Sequence, residues 1–556
     1  MKTVIYQINS KYVHSSLAAW YLCGAVRERG CVCDVLEGSV NESEDALFLR
    51  LTEARADVVA FSAYIWNVSL VCSLAKRIKE YDPYIKVILG GPEVSYRAES
   101  IFEECPYVDY VISGEGEVPF SSLVCSLERG DAIPEYDGIS SRGDVRAPYV
   151  MKDDPPCPYT DEYIERLKGR IAYIETSRGC PYRCAYCLSA SSGGVRFFDV
   201  DRAKRDIITL AESGAATVKF VDRTFNADRA RACEIFSFII QKRAEGAIPD
   251  YVTFHFEIAG ELVDADTIAL LREAPRGLFQ FEIGVQSMND KTLCAINRRS
   301  DISKLSCVIS ELSSLGSIHI HTDLIAGLPY EDIESFRNSY NKLASLGSHK
   351  LQLGFLKLLY GSPMRESPEI YPCEYDSDPP YTVTSTPWLS EEDIRELVLV
   401  ERANDGIYYS GRFDRTVDYL LSATGLDRYS LALVMGKNLY AEATPALDVL
   451  FDRIYELCSR MDGVDAAVLR DNMLYDRIAY DSSCVIPLSL RVYDKRLKGI
   501  ARAISQKYPQ RKGIRRCVGI LYTESSVIYA DYDKKDPVTE RYVVRVLPIG
   551  EVYDEL

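Results

Sequence analysis

The sequence predicts an α/β protein in three successive parts: an open, doubly wound sheet, a run of six β/α units, and an α+β region. Strand-length apolar runs alternate with helix-length segments over residues 1–130 and again, six times, over 171–358. After about residue 369 that rhythm stops, with helices first and strand-like segments last. At 556 residues the chain has room for three or so domains, each with its own core.

In the first part the expected strands are Val4–Ile8, Val32–Leu36, Asp57–Ser62, Lys86–Leu89 and Val108–Ser113, with helices among the segments between them, at Ser16–Arg29, Val68–Tyr81 and Pro119–Arg129. Several of these strands are continuous apolar runs, as buried parallel strands are. Five strands make a complete pattern, so residues 1–130 are expected to fold alone. Ligands of such sheets sit at the carboxyl ends of strands. Four polar or glycine-rich loops stand there: Asn9–Ser16, Ser62–Asn67, Gly90–Ser95 and Ser113–Glu117. They nominate Asn9, His14, Ser62, Tyr64, Gly90, Gly91, Gly114, Glu115 and Gly116 as lining a binding crevice, the glycines letting backbone approach a large ligand.

A connector follows, rich in proline (Pro148, Pro155, Pro156, Pro158) and acid, which bounds the parts at 1–145, a linker 146–168, 169–368 and 369–556. The second part predicts strands at Ile171–Thr176, Thr217–Asp222, Tyr251–Ile258, Leu278–Gln286, Ile318–Ile325 and Lys350–Leu358. The first of them runs into a loop bearing Cys180, Cys184 and Cys187. A structural zinc would want a fourth protein ligand, and no Cys or His follows nearby. Three thiolates on a [4Fe–4S] cluster instead leave one iron open to an outside ligand.

This loop resembles the signature of the radical S-adenosylmethionine (SAM) superfamily, and the six β/α units resemble that family's partial (β/α)6 barrel. The resemblance implies that Tyr186 lies against the adenine. It also implies a SAM site from Asp222, in the turn after the second strand, Glu257, Gln286, Arg298 and Asp323, with Arg298 on the methionine carboxylate. Alternation along a strand then brings His255 and Thr253 to the side of Glu257, and Gly284, Glu282 and Gln280 to that of Gln286. His321 and His319 likewise join Asp323, so that three histidines face one cavity as a polar network at the barrel's bottom.

Placed before such a loop, the first part is similar to the Rossmann-like cobalamin-binding domain of cobalamin-dependent radical SAM enzymes. That family often carries Asp-x-His-x-x-Gly after its first strand. Here Tyr12 and Leu17 replace the Asp and Gly around His14, which is therefore read as a loop residue near the corrin rather than a cobalt ligand. The combined resemblance, over roughly residues 1–365, implies a [4Fe–4S] cluster, SAM and cobalamin. It further implies methyl transfer to an unactivated carbon, with an electron donor such as flavodoxin or ferredoxin. Ring formation or rearrangement, RNA modification and a non-catalytic cobalamin- or SAM-responsive binding protein stay open, and the substrate is read as a small molecule before RNA.

The third part carries no motif with assignable chemistry. Ser390 with Asp393 predicts a helix start. Strands are expected at Ala467–Leu469, Gly519–Tyr522, Val527–Asp531 and Tyr542–Val546, and the basic stretch Arg491–Arg516 is read as a solvated helix face. A net charge of −17 argues against indiscriminate nucleic-acid binding. Seventeen scattered cysteines, with no signal-like start or apolar run of membrane length, predict a reducing cytoplasm.

Overall fold

The computed structural model describes residues 1–191, 193–440 and 445–552. The chain divides into two compact units: 1–273 with 296–299 and 356–384, and 274–295 with 300–355 and 385–556.

The first unit opens with β1 (Lys2–Asn9), α1 (Leu17–Glu28), β2 (Val32–Ser39), α2 (Glu44–Glu53), β3 (Val58–Ser62), α3 (Val68–Tyr81), β4 (Lys86–Gly90), α4 (Ala98–Glu104), β5 (Tyr110–Ile112) and α5 (Glu117–Arg129). The sheet order is β2-β1-β3-β4-β5, all parallel, with the chain reversing direction across the sheet between β1 and β3. In α3, Val68, Val71, Leu74, Ala75 and Ile78 are buried one turn apart. Each aliphatic side chain so buried contributes roughly 1.5–3 kcal/mol. Helix propensities differ by less than about 1 kcal/mol per residue, so packing decides this helix.

A sixth strand, β6 (Ile139–Ser141), adds to β5 antiparallel and was not expected. It is three residues long, too short for a periodic signal. The proline-rich connector beyond it belongs to the sheet's edge: Tyr149 donates its N–H to the Ser113 carbonyl at 2.9 Å and accepts from the Glu115 N–H at 2.9 Å.

After α6 (Asp161–Glu165) come β7 (Ile171–Ile174), the small antiparallel pair β8 (Ser177–Arg178) and β9 (Arg196–Phe197), α7 (Val200–Ala211), β10 (Thr217–Phe220), α8 (Arg229–Ala244), β11 (Thr253–Ile258) and α9 (Ala265–Arg272). β10 lies parallel between β7 and β11. The loop after β1 is tied to the start of β7. Ile171 donates its N–H to the Val13 carbonyl at 2.9 Å, and the Arg170 guanidinium reaches the Tyr12 and His14 carbonyls and Glu37.

The second unit holds β12 (Phe279–Gln286), α10 (Asp290–Ala295), α11 (Ile302–Leu315), β13 (His319–Ala326), α12 (Ile333–Ala344) and β14 (Lys350–Phe355), with β13 parallel between β12 and β14. Its later part packs helices, beginning at the expected Ser390–Asp393 capping box, against an antiparallel sheet of Arg516–Leu521, Ser526–Lys535 and Tyr542–Pro548. Ala467–Leu469, expected as a strand, opens the helix Ala466–Tyr480 instead. The Asp465 carboxylate caps it, and Leu469, Met473, Leu474 and Ile478 bury one face, so a three-residue apolar run was the wrong window. The middle of the basic stretch is a helix, Leu497–Lys507, with Ile500 and Ile504 turned inward. Around it Arg496 pairs with Asp494 and Arg516 with Asp531.

Candidate functional site

At the carboxyl ends of β1, β3, β4 and β5 the first unit encloses a cavity of about 970 Å³. Its walls include all nine nominated residues: Asn9, His14, Ser62, Tyr64, Gly90, Gly91, Gly114, Glu115 and Gly116. Trp66, missed from the sequence, stacks on Tyr64 with ring centres 4.4 Å apart and also lines the cavity. The Asn67 side chain shapes this turn, accepting from the Tyr64 N–H at 2.7 Å and donating to the Ile8 and Ser62 carbonyls. Two of the glycines are also required by the packing of the chain itself. Gly91 has φ +107°, and a Cβ there would stand 2.6 Å from the Ala63 carbonyl oxygen; at Gly114, φ +83°, it would stand 2.3 Å from that of Tyr149. Chain-on-chain packing, before any ligand, demands glycine at both.

His14 lies on the cavity wall with Nδ1 2.7 Å from the Tyr173 hydroxyl. Burial, and then the positive charges of Lys11 and Lys219, lower its pKa, while burial pushes Tyr173 up to about 12. A neutral imidazole oriented by a phenol takes the place of one oriented by a carboxylate. The partner is 159 residues away, which no local motif could reveal.

Beside the cavity the cysteine loop is held from several sides. Asp222 accepts from the Thr176 N–H at 3.0 Å, the Thr176 hydroxyl at 2.7 Å and the Ser177 hydroxyl at 2.5 Å. Asp222, expected in the turn after the second strand of this part, is 1% exposed and anchors the start of the loop. The Ala185 N–H reaches the Ile296 carbonyl at 2.9 Å, and the Asn297 side chain reaches the Arg183 carbonyl at 2.9 Å. Cys180 Sγ lies 3.3 Å from the Thr224 hydroxyl. Cys184 Sγ lies 3.9 Å from the Arg298 guanidinium; burial raises this thiol's pKa and Arg298 opposes the rise. Arg298 also lies 4.9 Å from the centre of the Tyr182 ring and 4.0 Å from Glu261, to which Tyr182 donates at 2.9 Å. Tyr182 and Glu261 were not nominated, since neither follows a spacing rule.

Tyr186, just before Cys187, is half-buried, and burial raises its pKa well above the usual phenol range. Glu257, next to last in β11, has Lys219 3.9 Å away. Gln286 and Asp323 belong to the second unit. Gln286 has φ +70° at an irregularity in the β12–β13 register, and Asp323 lies opposite Gly284 with His321 Nε2 3.2 Å away. His319 departs from the expected inward network: its Nδ1 meets the Val538 carbonyl at 2.7 Å, and it lines another cavity, whose walls contain neither His255 nor His321. Among the described residues no three His, Cys, Asp or Glu side chains, the loop cysteines included, close around a point the size of one metal ion. Thiolates on separate irons of a cluster have no need to.

A charge network joins cavity and loop. Arg178, two residues before Cys180, meets Glu115 at 3.2 Å, Glu117 at 2.5 Å and Glu175 at 3.0 Å, and its guanidinium stacks near Tyr21 and Phe198. Burial works against its charge, but Glu175 and Glu117 outweigh burial and hold it protonated. Arg196, on β9, adds a second cation to Glu115.

Family comparison matches a B12 binding domain to residues 3–124, the Radical SAM superfamily to 174–343, and a protein family of unknown function, DUF4080, to 369–525. The chain is 30% identical over 323 residues to 2-(S-pantetheinyl)-carbapenam-3-carboxylate methyltransferase of Streptantibioticus cattleyicolor, covering 53% of this chain and 46% of that protein. It is 30% identical over 344 residues to the cobalamin-dependent radical SAM methyltransferase TokK of Streptomyces tokunonensis, covering 56% and 49%. The chain thus spans about half the length of these curated relatives. Among solved structures, the cobalamin-dependent SAM radical enzyme OxsB, with aqua-cobalamin and SAM bound, shares the fold with TM-score 0.60 at 14% identity, over 86% of this chain and 78% of that one.

Proposed function

We propose that this chain, which pairs a B12-binding domain with a Radical SAM domain and is homologous to cobalamin-dependent radical SAM methyltransferases, is itself such a methyltransferase, acting on an unactivated carbon of a small molecule. The observation that carries this reading is the direct ionic link between the two sites. Arg178 ties the cysteine loop to Glu115 and Glu117 on the wall of a cavity large enough for a big cofactor.

In this reading Cys180, Cys184 and Cys187 hold the cluster and Tyr186, Asp222, Glu257, Gln286, Arg298 and Asp323 hold SAM, with 1–145 as the cobalamin part, 146–168 the linker, 169–368 the radical SAM part and 369–556 a further domain. The residues fit these groups: three thiols share one short loop, a buried guanidinium stands behind it, and nine strand-end residues line one cavity. When bound, the cluster, SAM and cobalamin would supply electron transfer, hydrogen abstraction and the methyl group. The chain's own part is to place them. Asp222 fixes the entry to the loop, Arg178 ties it to the cavity wall, and the aromatic side chains of Tyr64, Trp66 and Tyr173 line that cavity. Radical SAM enzymes need a reductant, here a protein donor of the flavodoxin or ferredoxin kind. An RNA substrate is disfavoured because acids answer the arginines flanking the basic helix. Among the described residues no helix is long and apolar enough to cross a membrane, which suits the cytoplasmic reading.

The test is anaerobic reconstitution. Roughly four irons per chain, a bound cobalamin spectrum and reductive formation of 5′-deoxyadenosine are expected. Cys184→Ala should lose the iron and the nucleoside product together. A full cluster in that variant overturns the site assignment, and a wild-type protein that binds no cobalamin overturns the methyltransferase reading.

A further inference from the structure

Residues 356–384 are the last stretch of the first unit, and they reach both the cavity wall and the cysteine loop. The stretch folds back on itself. Leu358 donates its N–H to the Tyr381 carbonyl at 3.0 Å, and Val383 to the Leu356 carbonyl at 2.9 Å. Arg365 closes it, donating to the Leu358 carbonyl with its guanidinium 3.5 Å from the centre of the Tyr360 ring and 4.7 Å from that of Tyr381. Tyr360 and Tyr381 meet edge to face, ring centres 5.4 Å apart. Met364 and Tyr381 are both buried, so the stretch is a small packed body rather than a loose return.

One side of this body grips the cavity wall. The Tyr381 hydroxyl donates to the Glu93 carboxylate at 2.5 Å, and Arg97 reaches the same carboxylate at 2.9 Å. Burial, then Glu93, raise the pKa of Tyr381, so its hydroxyl stays a donor. Glu93 is buried behind the wall, whose lining includes its neighbours Pro92, Ser95 and Tyr96. Gly361 lies flat against Tyr96: its φ is +81°, and a Cβ there would stand 2.3 Å from a carbon of that ring. The other side grips the cysteine loop, where Met364 donates its N–H to the carbonyl of Ala185, the residue after Cys184, at 3.0 Å. This contact is separate from the Arg178 link, which joins the entry of the loop to Glu115 and Glu117. A single tie between two bodies is a hinge. Ties at Arg178 and at Ala185 together fix the angle as well as the distance.

We propose that Tyr381 is a positioning residue for the reaction, its hydrogen bond to Glu93 holding the cavity wall and the cysteine loop in one mutual arrangement. The proposal rests on the methyl-transfer reading, and it gives a task to the start of the region of unknown function, since Tyr381 falls within the match over 369–525. Sites that act on one substrate must keep their spacing, because misplacement by about 1 Å can cost on the order of a hundredfold in rate. Cob(II)alamin and the singly reduced cluster each carry one net unpaired spin. Electron paramagnetic resonance of the reconstituted full chain therefore reads their dipolar coupling, which falls with the cube of their separation. Wild type should show a single well-defined coupling. Tyr381→Phe keeps the ring and deletes the donor, and Glu93→Ala deletes the acceptor. Both should smear the coupling and weaken cobalamin binding severalfold, with iron content unchanged. Glu93→Gln keeps an acceptor for the hydroxyl and should restore the single coupling. A coupling unchanged in Tyr381→Phe and Glu93→Ala, even where their melting temperatures fall, overturns this proposal alone. A wild type that binds no cobalamin overturns the methyl-transfer reading and this proposal with it.

Discussion

Arg298 and Arg178 stand on either side of the cysteine loop and do different work. The Arg298 side chain is 9% exposed, and under the proposed reading it would offer the SAM carboxylate a guanidinium already held by Tyr182 and Glu261. Arg298→Ala should weaken SAM binding by roughly ten- to a hundredfold, the worth of one charge-assisted contact, and leave the iron content intact; equilibrium binding of SAM and iron analysis check both. Arg178 serves three carboxylates at once, which the point charge of lysine cannot reproduce. Arg178→Lys should retain its cluster but lower cobalamin affinity and the melting temperature, since breaking a buried ionic group costs about 3–5 kcal/mol. The two arginines were unequally legible. Arg298 falls at a family spacing, whereas the partners of Arg178 lie 3, 61 and 63 residues away in sequence. Nothing local announces such a network, nor the Tyr173 that orients His14. The nine cavity residues were legible for a simpler reason, because strand ends in a doubly wound sheet all face one edge.

At the scale of elements, apolar period and loop chemistry located the longer strands to within a few residues, and they failed where the window read was only three residues long. β6 and the Ala467–Leu469 window are three residues each. The turn after β13 makes a prediction of its own. Glu331 is fully buried, accepts from the Ser287 and Ser339 hydroxyls at 2.7 Å each, and burial raises its pKa from 4.5 to about 7. Between pH 4.5 and 7 the unfolded chain has released this proton and the folded chain keeps it, so folding stability falls as pH rises through that window. The loss is on the order of 3 kcal/mol at neutral pH and above. Glu331→Gln keeps an acceptor for both serines and removes the charge. Its melting temperature should exceed wild type at pH 8 and match it near pH 4.5; an equal gain at both would assign the effect to something other than the carboxylate.

Across the first unit as a whole, the boundary that composition suggests is not where the packing ends. The proline-rich connector supplies Tyr149 to the edge of the sheet, the Arg170 guanidinium binds the loop after β1, and Tyr173, Glu175 and Arg178 complete the cavity wall. A fragment of residues 1–130, complete by strand count, therefore lacks β6 and leaves the Ser113 carbonyl and Glu115 N–H without their partners. Residues 1–168 restore those partners but still lack Arg170 and the β7 side of the cavity. Cobalamin affinity should accordingly rise from 1–130 through 1–168 to the full chain, measured by absorption titration, while helical content of 1–168 should already match that of its share of the whole. His14→Ala in the full chain should alter the bound spectrum little, because a phenol-oriented neutral imidazole is a poorer cobalt ligand than one held by a carboxylate. Tyr64→Ala should do more harm, as it removes half of the stacked pair on the cavity wall. Equal affinity in 1–130 and the full chain would mean that the sheet edge alone makes the site, and that the ionic link through Arg178 serves the cysteine loop instead.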